Sequence, residues 1–421
     1  MKKYVVLGLP IFLLLAFVIA LLVASSTPDM KLAQPVTAVG RETPVKVHVE
    51  NKHGVRELTA YLEQNGQRYP MFEKTEPAVR WSLFRKPGAA QTFDFVVGAK
   101  KAAGLKDGKA RLVVKAVSND LRASAAVQSS DVEVITRPLT LRADGLQHYI
   151  NQGGSELVTF QVDGYWTEAG VRVGNYTFRS FPLPGSKSER FAIFAFPWDV
   201  PAETVPVVYA RNPTGAEVTS KFWYKLFPKS PRRRELSLDD GFLSKVVSEI
   251  DAGGSGDPLS RFLKINGQMR RENNQKLSDL RNVSAEKVLW EGPFRQLSNS
   301  KVESQFADER SYVYKGKKVD QQMHLGFDLS VTKNVPIVAS NAGKVVWAAP
   351  LGIYGNCVVV DHGYGLQSIY GHLSSIDVKD GDAVTKGQVI GKSGATGLAG
   401  GDHLHYSMQV DGVQVNPVEW W

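Results

Sequence analysis

Five of the eight histidines in this 421-residue chain, His324, His362, His372, His403 and His405, fall after residue 320. Two of them stand one residue apart in His403-Leu404-His405. Positions i and i+2 of a strand share a face, so this spacing sets the two imidazoles side by side and turns Leu404 to the opposite face. His324 and Asp328, four apart in His324-Leu325-Gly326-Phe327-Asp328, also share a face of an extended chain, and Gly326 lets the backbone turn near a bound ion. Imidazole nitrogens and a carboxylate oxygen are ligands that zinc accepts, and three protein ligands leave a fourth position for water, as catalytic zinc sites require. A structural site would close its shell, usually with thiolates, and Cys357 is the chain's one cysteine. An isolated buried histidine is more often a core residue than a ligand. Here His-x3-Asp, His-x-His and a further Tyr370-Gly371-His372-Leu373-Ser374 coincide in one glycine-rich segment.

The elements that must position these residues read as strands. Alternation continues through Gly343-Lys344-Val345-Val346-Trp347-Ala348 and Asn356-Cys357-Val358-Val359-Val360, with glycines at the turns. Upstream, short alternating runs such as Pro44-Val45-Lys46-Val47-His48-Val49 predict a β-sandwich-like domain over 36–137 and a second β-rich domain over 138–228. Lys229-Ser230-Pro231-Arg232-Arg233-Arg234 reads as a solvated linker opening a helical segment that runs to residue 292. In that segment Phe242, Val246, Val247 and Ile250 form one helical stripe, and Leu259, Phe262, Leu263 and Ile265 begin another. Its expected role is packing against the last domain, with a lid over the cleft as the alternative; a lid predicts that the isolated segment from Pro293 onward cleaves faster than the longer chain.

The last segment, 293–421, resembles the zinc-dependent peptidases of the lysostaphin and LytM type, peptidase family M23, which cut the peptide cross-links of peptidoglycan. The resemblance rests on Val302 to Arg310, His324-Leu325-Gly326-Phe327-Asp328, Val335 to Ala339, Tyr354-Gly355-Asn356, Tyr370 to Ser374, Val384 to Gly391, Gly394 to Gly397 and Asp411 to Pro417. It implies an antiparallel-β peptidase domain holding one Zn2+ on His324, Asp328 and His405, with His372 and His403 as the catalytic pair. The implied reaction is metal-assisted amide hydrolysis: one free histidine takes the proton of the attacking water while the other stabilises the oxyanion or protonates the leaving amine. His362 is expected to be structural and Cys357 a buried small hydrophobe. Tyr354 and Asn356 either line a groove or form a turn. Asp402 stands where many relatives carry proline, and either contacts a catalytic histidine or substrate or stands in the loop. Relatives that lack ligands serve instead as regulators that activate cell-wall amidases; all five residues are present here, which favours the enzyme.

Compartment follows from the N-terminus. Two lysines precede an apolar run from Tyr4 to Ala24, and about 31 Å of helix at 1.5 Å per residue matches a bilayer core. Residues 1–25 are therefore expected to form an uncleaved signal-anchor transmembrane helix. Its lysines place the N-terminus in the cytoplasm and the bulk of the chain on the periplasmic or extracytoplasmic side of the cytoplasmic (inner) membrane. The whole is a mainly β, multidomain chain whose expected partners are peptidoglycan and, through the helix, the membrane; no nucleic acid is expected, and any division partner is unnamed. The net charge of +9 could draw the exported part to anionic wall polymers.

Overall fold

The computed structural model describes residues 2–79 and 88–421, with side chains described from residue 9 onward. Helix α1 (Lys2–Ala24) covers the apolar run expected to act as an anchor. The side chains of residues 1–8 of that expectation lie outside the described residues, and among the described residues no helix is long and apolar enough to cross a membrane. The chain forms two compact units. One comprises Met1–Thr140 with Asp163–Thr167 and Arg211–Val218; the other comprises Leu141–Val162, Glu168–Ala210 and Thr219–Trp421.

In the first unit a three-stranded sheet (Asp29–Leu32, Thr43–Glu50, Gln91–Val97) faces a five-stranded one that includes Val55–Gln64, Gly108–Ser118 and Ala125–Val134. Burial alternates strictly along Thr43–Glu50. Period-2 patterning therefore places Val45, Val47 and Val49 against Leu58, Leu62, Leu112 and Val132 of the other sheet in one core.

The second unit holds the site. Two of its sheets carry the site, and their strands, in chain order, are β1 (Arg233–Leu238), β2 (Lys301–Ser304), β3 (Asp308–Tyr314), β4 (Lys317–His324), β5 (Phe327–Ser330), β6 (Gly343–Pro350), β7 (Asn356–Gly363), β8 (Leu366–Leu373), β9 (Ala383–Val384), β10 (His403–Val410) and β11 (Val413–Val415). Strands β2, β5, β10, β8, β7, β6 and β9 lie side by side in one sheet, with β11 added to β10. The stretch read as a basic linker instead supplies β1, which pairs in parallel with β3. Its Arg232 makes a two-pronged ion pair with Asp308, through Nε at 2.9 Å and Nη2 at 2.6 Å. Asp308 is almost fully buried, and a buried carboxylate requires such a partner, which Arg232 supplies while itself remaining about half exposed.

Helices α2 (Asp240–Ile250), α3 (Pro258–Lys264) and α4 (Arg270–Asp279) follow β1, with a π-helical turn, Ile265–Met269, between α3 and α4. Asp239 caps α2 by accepting from the Phe242 amide, and Asp257 caps α3 just before Pro258. Leu243, Val246, Val247, Phe262, Ile265 and Leu277 share one buried cluster with Cys357, Val359 and Ile369 of the large sheet. At about 1.5–3 kcal/mol for each buried side chain this contact amounts to on the order of 10 kcal/mol. That is comparable with the whole stability of an ordinary domain. The helical segment thus completes the core over the large sheet and is not a removable lid.

The β-rich segment before β1 is tied to the same body. Tyr364 lies 4.9 Å from both Phe181 and Phe191, Arg179 pairs with the buried Asp411 at 2.6 Å, and Glu419 accepts from Asn151 Nδ2 at 2.7 Å.

Candidate metal centre and peptidase site

Strand β10 places His403 and His405 on one face, with the intervening Leu404 buried on the other. Register then brings the carboxylate. β5 pairs antiparallel with β10 so that Asp328 lies directly opposite His405, and residues opposite one another share a face. His324 reaches the same point by a different route from the continuous strand expected. It ends β4 in a separate sheet, and the chain turns through Leu325 and Gly326 before β5 begins. A Cβ at Gly326 would stand 2.7 Å from His405 Cε1 and 2.8 Å from Nε2, so only glycine permits the turn to pass the histidine so closely. His372 arrives at the end of β8 with φ 63°, a left-handed conformation that a non-glycine residue holds only under tertiary constraint.

The structure brings the five residues together. His324 Nε2, His405 Nδ1 and Asp328 Oδ1 lie 3.0 to 3.1 Å from one another. His403 Nε2 lies 3.6 Å from the same Asp328 oxygen, and the rings of His372 and His403 stand 4.8 Å apart. His324, His372 and His405 are buried and His403 is partly exposed.

Hydrogen bonds fix which ring atoms face inward. His324 Nδ1 donates to the Gln305 carbonyl at 3.0 Å, leaving a lone pair on Nε2. Ser407 Oγ donates to the Leu325 carbonyl at 2.6 Å and so accepts from His405 Nε2 at 2.9 Å, leaving a lone pair on Nδ1. Three acceptors therefore point at one another with no proton between them. Such a cluster is repulsive unless a cation lies among them, and two imidazole nitrogens with one carboxylate oxygen are a donor set that zinc takes. These three are the residues whose donor atoms can hold a metal ion among the described residues.

Electrostatics agree with the donor roles. Burial pushes His324 down and His405 down to about 4, so both are neutral ligands at neutral pH. Burial opposes ionisation of Asp328, yet imidazoles that carry a proton toward it, His324 first, hold its carboxyl well below the ordinary carboxylate range, and a cation among the three atoms would take that part once His324 and His405 are neutral. Burial, with His403 and His405 beside it, pushes His372 well below its usual value. Burial acts in the same direction on His403, but the Asp328 carboxylate outweighs it and raises that group.

Other expectations sort differently. His362 is fully buried, donates from Nδ1 to the Ala342 carbonyl at 2.7 Å and meets Ser368 Oγ at 2.8 Å through Nε2, away from the metal cluster. Tyr354 forms part of a 3-10 turn and lines the cleft, its ring 5.4 Å from His405 and its hydroxyl donating to Asn274 at 2.9 Å. Asn356 donates to the Leu373 carbonyl, and Asp402 accepts from the Asn334 amide. Cys357 is fully buried.

Arg310 carries a role that the sequence reading left unassigned: its Nη2 makes a short ion pair with Asp328 Oδ2, the oxygen turned away from the histidines. The signal was available in the β3–β4 hairpin. Asp308 lies opposite His324, and Arg310, two residues on, must share that face. The cleft beside the cluster has a volume of about 40 Å3 and is lined by Arg270, Asn274, Arg310, Tyr354, His372 and His405 among others. A groove of about 770 Å3 in the first unit has Lys46 and Asp94 among its lining residues, already paired at 3.4 Å, so size alone does not mark the chemistry.

Residues 322–417 match the family model described as Peptidase family M23. The M23 segment is 38% identical over 97 residues to the DD-carboxypeptidase/endopeptidase Mpg of Neisseria meningitidis serogroup B. It is 42% identical over 96 residues to the peptidoglycan DD-endopeptidase ShyA of Vibrio cholerae. Each match covers 23% of this chain and 22% of the relative's own length. Among solved structures, a peptidase M23 protein of Pseudomonas aeruginosa aligns over 64% of this chain and 93% of its own, at 23% identity and a TM-score of 0.41. All five site residues fall inside the M23 segment. Arg310 and the helical wall that carries Arg270 and Asn274 lie before it.

Proposed function

We propose that the chain is a zinc-dependent endopeptidase that hydrolyses peptide cross-links of peptidoglycan, held at the cytoplasmic membrane by α1 with its two folded units outside. One observation carries the reading: three buried acceptors, His324 Nε2, His405 Nδ1 and Asp328 Oδ1, converge without a proton beside two further histidines. The names of the two curated relatives, both described as endopeptidases, agree with it. The apolar run from Tyr4 to Ala24 and the helix over Lys2–Ala24 support the anchor.

A zinc ion held by His324, Asp328 and His405 would acidify the attacking water and polarise the scissile carbonyl. The remaining work falls to the chain. Arg310 holds Asp328 by its outer oxygen, so the inner one faces His324 and His405. His372 donates Nδ1–H to the Thr396 carbonyl and His403 donates Nδ1–H to the Gly401 carbonyl, each at 2.8 Å. Both Nε2 atoms are thereby left to handle protons: one takes the water's proton and the other, when protonated, supports the oxyanion or gives its proton to the leaving amine. Burial of His372 and His405 excludes bulk water, which strengthens each of these interactions.

The test is product analysis after incubating the zinc-loaded full chain in detergent with purified peptidoglycan. New monomeric fragments, lost with His372→Ala and with a chelator, are expected, and their masses name the bond cut. Absence of fragments with zinc confirmed bound would overturn the peptidase reading and favour a regulator of cell-wall amidases. The anchor is tested separately: the parent should stay in the membrane fraction through a high-salt wash, and a chain lacking residues 1–25 should not.

A further inference from the structure

The helical segment is a fixed wall of the cleft, and what that wall offers a substrate is charge. Arg270 opens α4 immediately after the π-helical turn Ile265–Met269. Such turns are frequent at functional sites because they re-aim side chains within an otherwise regular helix. Here the turn sets Asn266 against Arg270: Nε donates to the Asn266 carbonyl at 3.1 Å and Nη2 to Asn266 Oδ1 at 2.6 Å. Asn266 is itself fully buried and donates to Asp320 Oδ2 at 2.7 Å. One edge of the guanidinium is thus locked, and Arg270 lines the same cavity as His372 and His405. Arg310 lines it too, and its Nε is buried with no hydrogen-bond partner.

Two guanidinium groups therefore border a cavity that no carboxylate lines among the described residues, and Asp328 behind it is already engaged by Arg310 and the histidines. A divalent cation on the cluster would add further positive charge, so the missing component is an anion. The cavity, about 40 Å3, has room for a few water-sized groups, which is the scale of a carboxylate. Arginine's planar fork matches a carboxylate in shape as well as sign.

We propose that Arg270, preorganised by Asn266 and assisted by Arg310, receives a carboxylate of the peptide substrate next to the scissile bond, so that the enzyme selects peptides carrying a free acid at that position. The proposal rests on the peptidase reading above and deepens it by naming a substrate class. A peptide offers such a group from two sources, its own C-terminus or an acidic side chain.

Three synthetic peptides with the same scissile bond separate these cases: one ending in a free carboxylate just beyond it, one with that terminus amidated and an acidic side chain in its place, and one with neither acid. With the zinc-loaded full chain, one acid peptide is expected to exceed the neutral one at least tenfold in kcat/KM, mainly through KM. Whichever acid carries the preference names the source. Arg270→Gln should abolish the preference by raising KM for that acid, and Arg270→Lys, which retains the charge, should restore part of it. Equal kcat/KM for all three peptides, or a preference that survives Arg270→Gln in a folded variant, would overturn the proposal. If no peptide is cleaved, the peptidase reading falls, and calorimetric binding of the same peptides decides: tenfold tighter binding of an acid supports the carboxylate site, and equal affinities overturn it.

Discussion

Replacing Ser407 by alanine tests the logic of the metal centre without touching a ligand. Ser407 is fully buried, and its hydroxyl both accepts from His405 Nε2 at 2.9 Å and donates to the Leu325 carbonyl at 2.6 Å. The first bond is what keeps the proton on Nε2 and the lone pair on Nδ1. Without the hydroxyl, the Nε2–H is a buried donor with no partner, which costs about 1–3 kcal/mol. The metal-free protein has an escape. The proton can move to Nδ1, where Asp328 Oδ1 at 3.0 Å accepts it, and that tautomer cannot bind a metal through Nδ1. Zinc binding to the variant must reverse this shift, so affinity should fall about 10- to 100-fold, the usual scale for loss of an outer hydrogen-bond partner of a ligating histidine. The assay is zinc competition against a chromophoric chelator on the parent and Ser407→Ala chains, with circular dichroism to show that both are folded. A folded variant that holds zinc as tightly as the parent would refute the tautomer argument.

Further outcomes follow from the same geometry. Gly326→Ala should abolish zinc binding more completely than Ser407→Ala, since the added Cβ would collide with His405 and Ser407; retained affinity in a folded variant would count against the close approach. Phe262→Ala, at a fully buried ring 5.8 Å from that of Tyr312, should cost about 3–5 kcal/mol in urea denaturation of the second unit, and a loss below about 1 kcal/mol would contradict the shared core. For the same reason residues 293–421 alone should fail to fold, because Cys357, Val359 and Ile369 lose their helical cover; a cooperative, well-folded fragment by circular dichroism would argue against it. His362 provides a pH test. Burial pushes it to about 4 in the folded chain, against about 6.5 unfolded, so its contribution is complete above pH 6.5 and is lost as pH falls toward 4. Between pH 7 and 4.5 this amounts to about 2–3 kcal/mol, and His362→Gln should show a correspondingly shallower decline; parallel declines would show that His362 is not the group responsible.

Tertiary context changed the meaning of several stretches. The run Lys229 to Arg234 has the composition of a solvated linker, yet Arg232 is held by the buried Asp308 and the following residues become a strand. The pairing partner lies more than 70 residues away, and local charge density carries no information about it. Helices α2 and α3 were legible as amphipathic segments, but their stripes do not say whether the apolar surface they cover is a movable contact or a core. The full burial of Phe262, Val246 and Leu277 against β7 and β8 decides for a core.

By itself the sequence determined that His403 and His405 share a face, that the chain is strand-rich, and that its metal chemistry must rest on histidine and carboxylate, because strand period and residue type are local properties. Only the tertiary structure decided the rest. The register of β5 against β10 sets Asp328 opposite His405, a turn at Gly326 delivers His324 from a separate sheet, and a strained backbone brings His372 beside His403. Gln305 and Ser407 select the inward ring nitrogens, and Arg310 and Arg270 enter the cleft from outside the M23 segment. These contacts join residues far apart in the chain, and long-range strand pairing and shared burial, which no local pattern encodes, determine which of them meet.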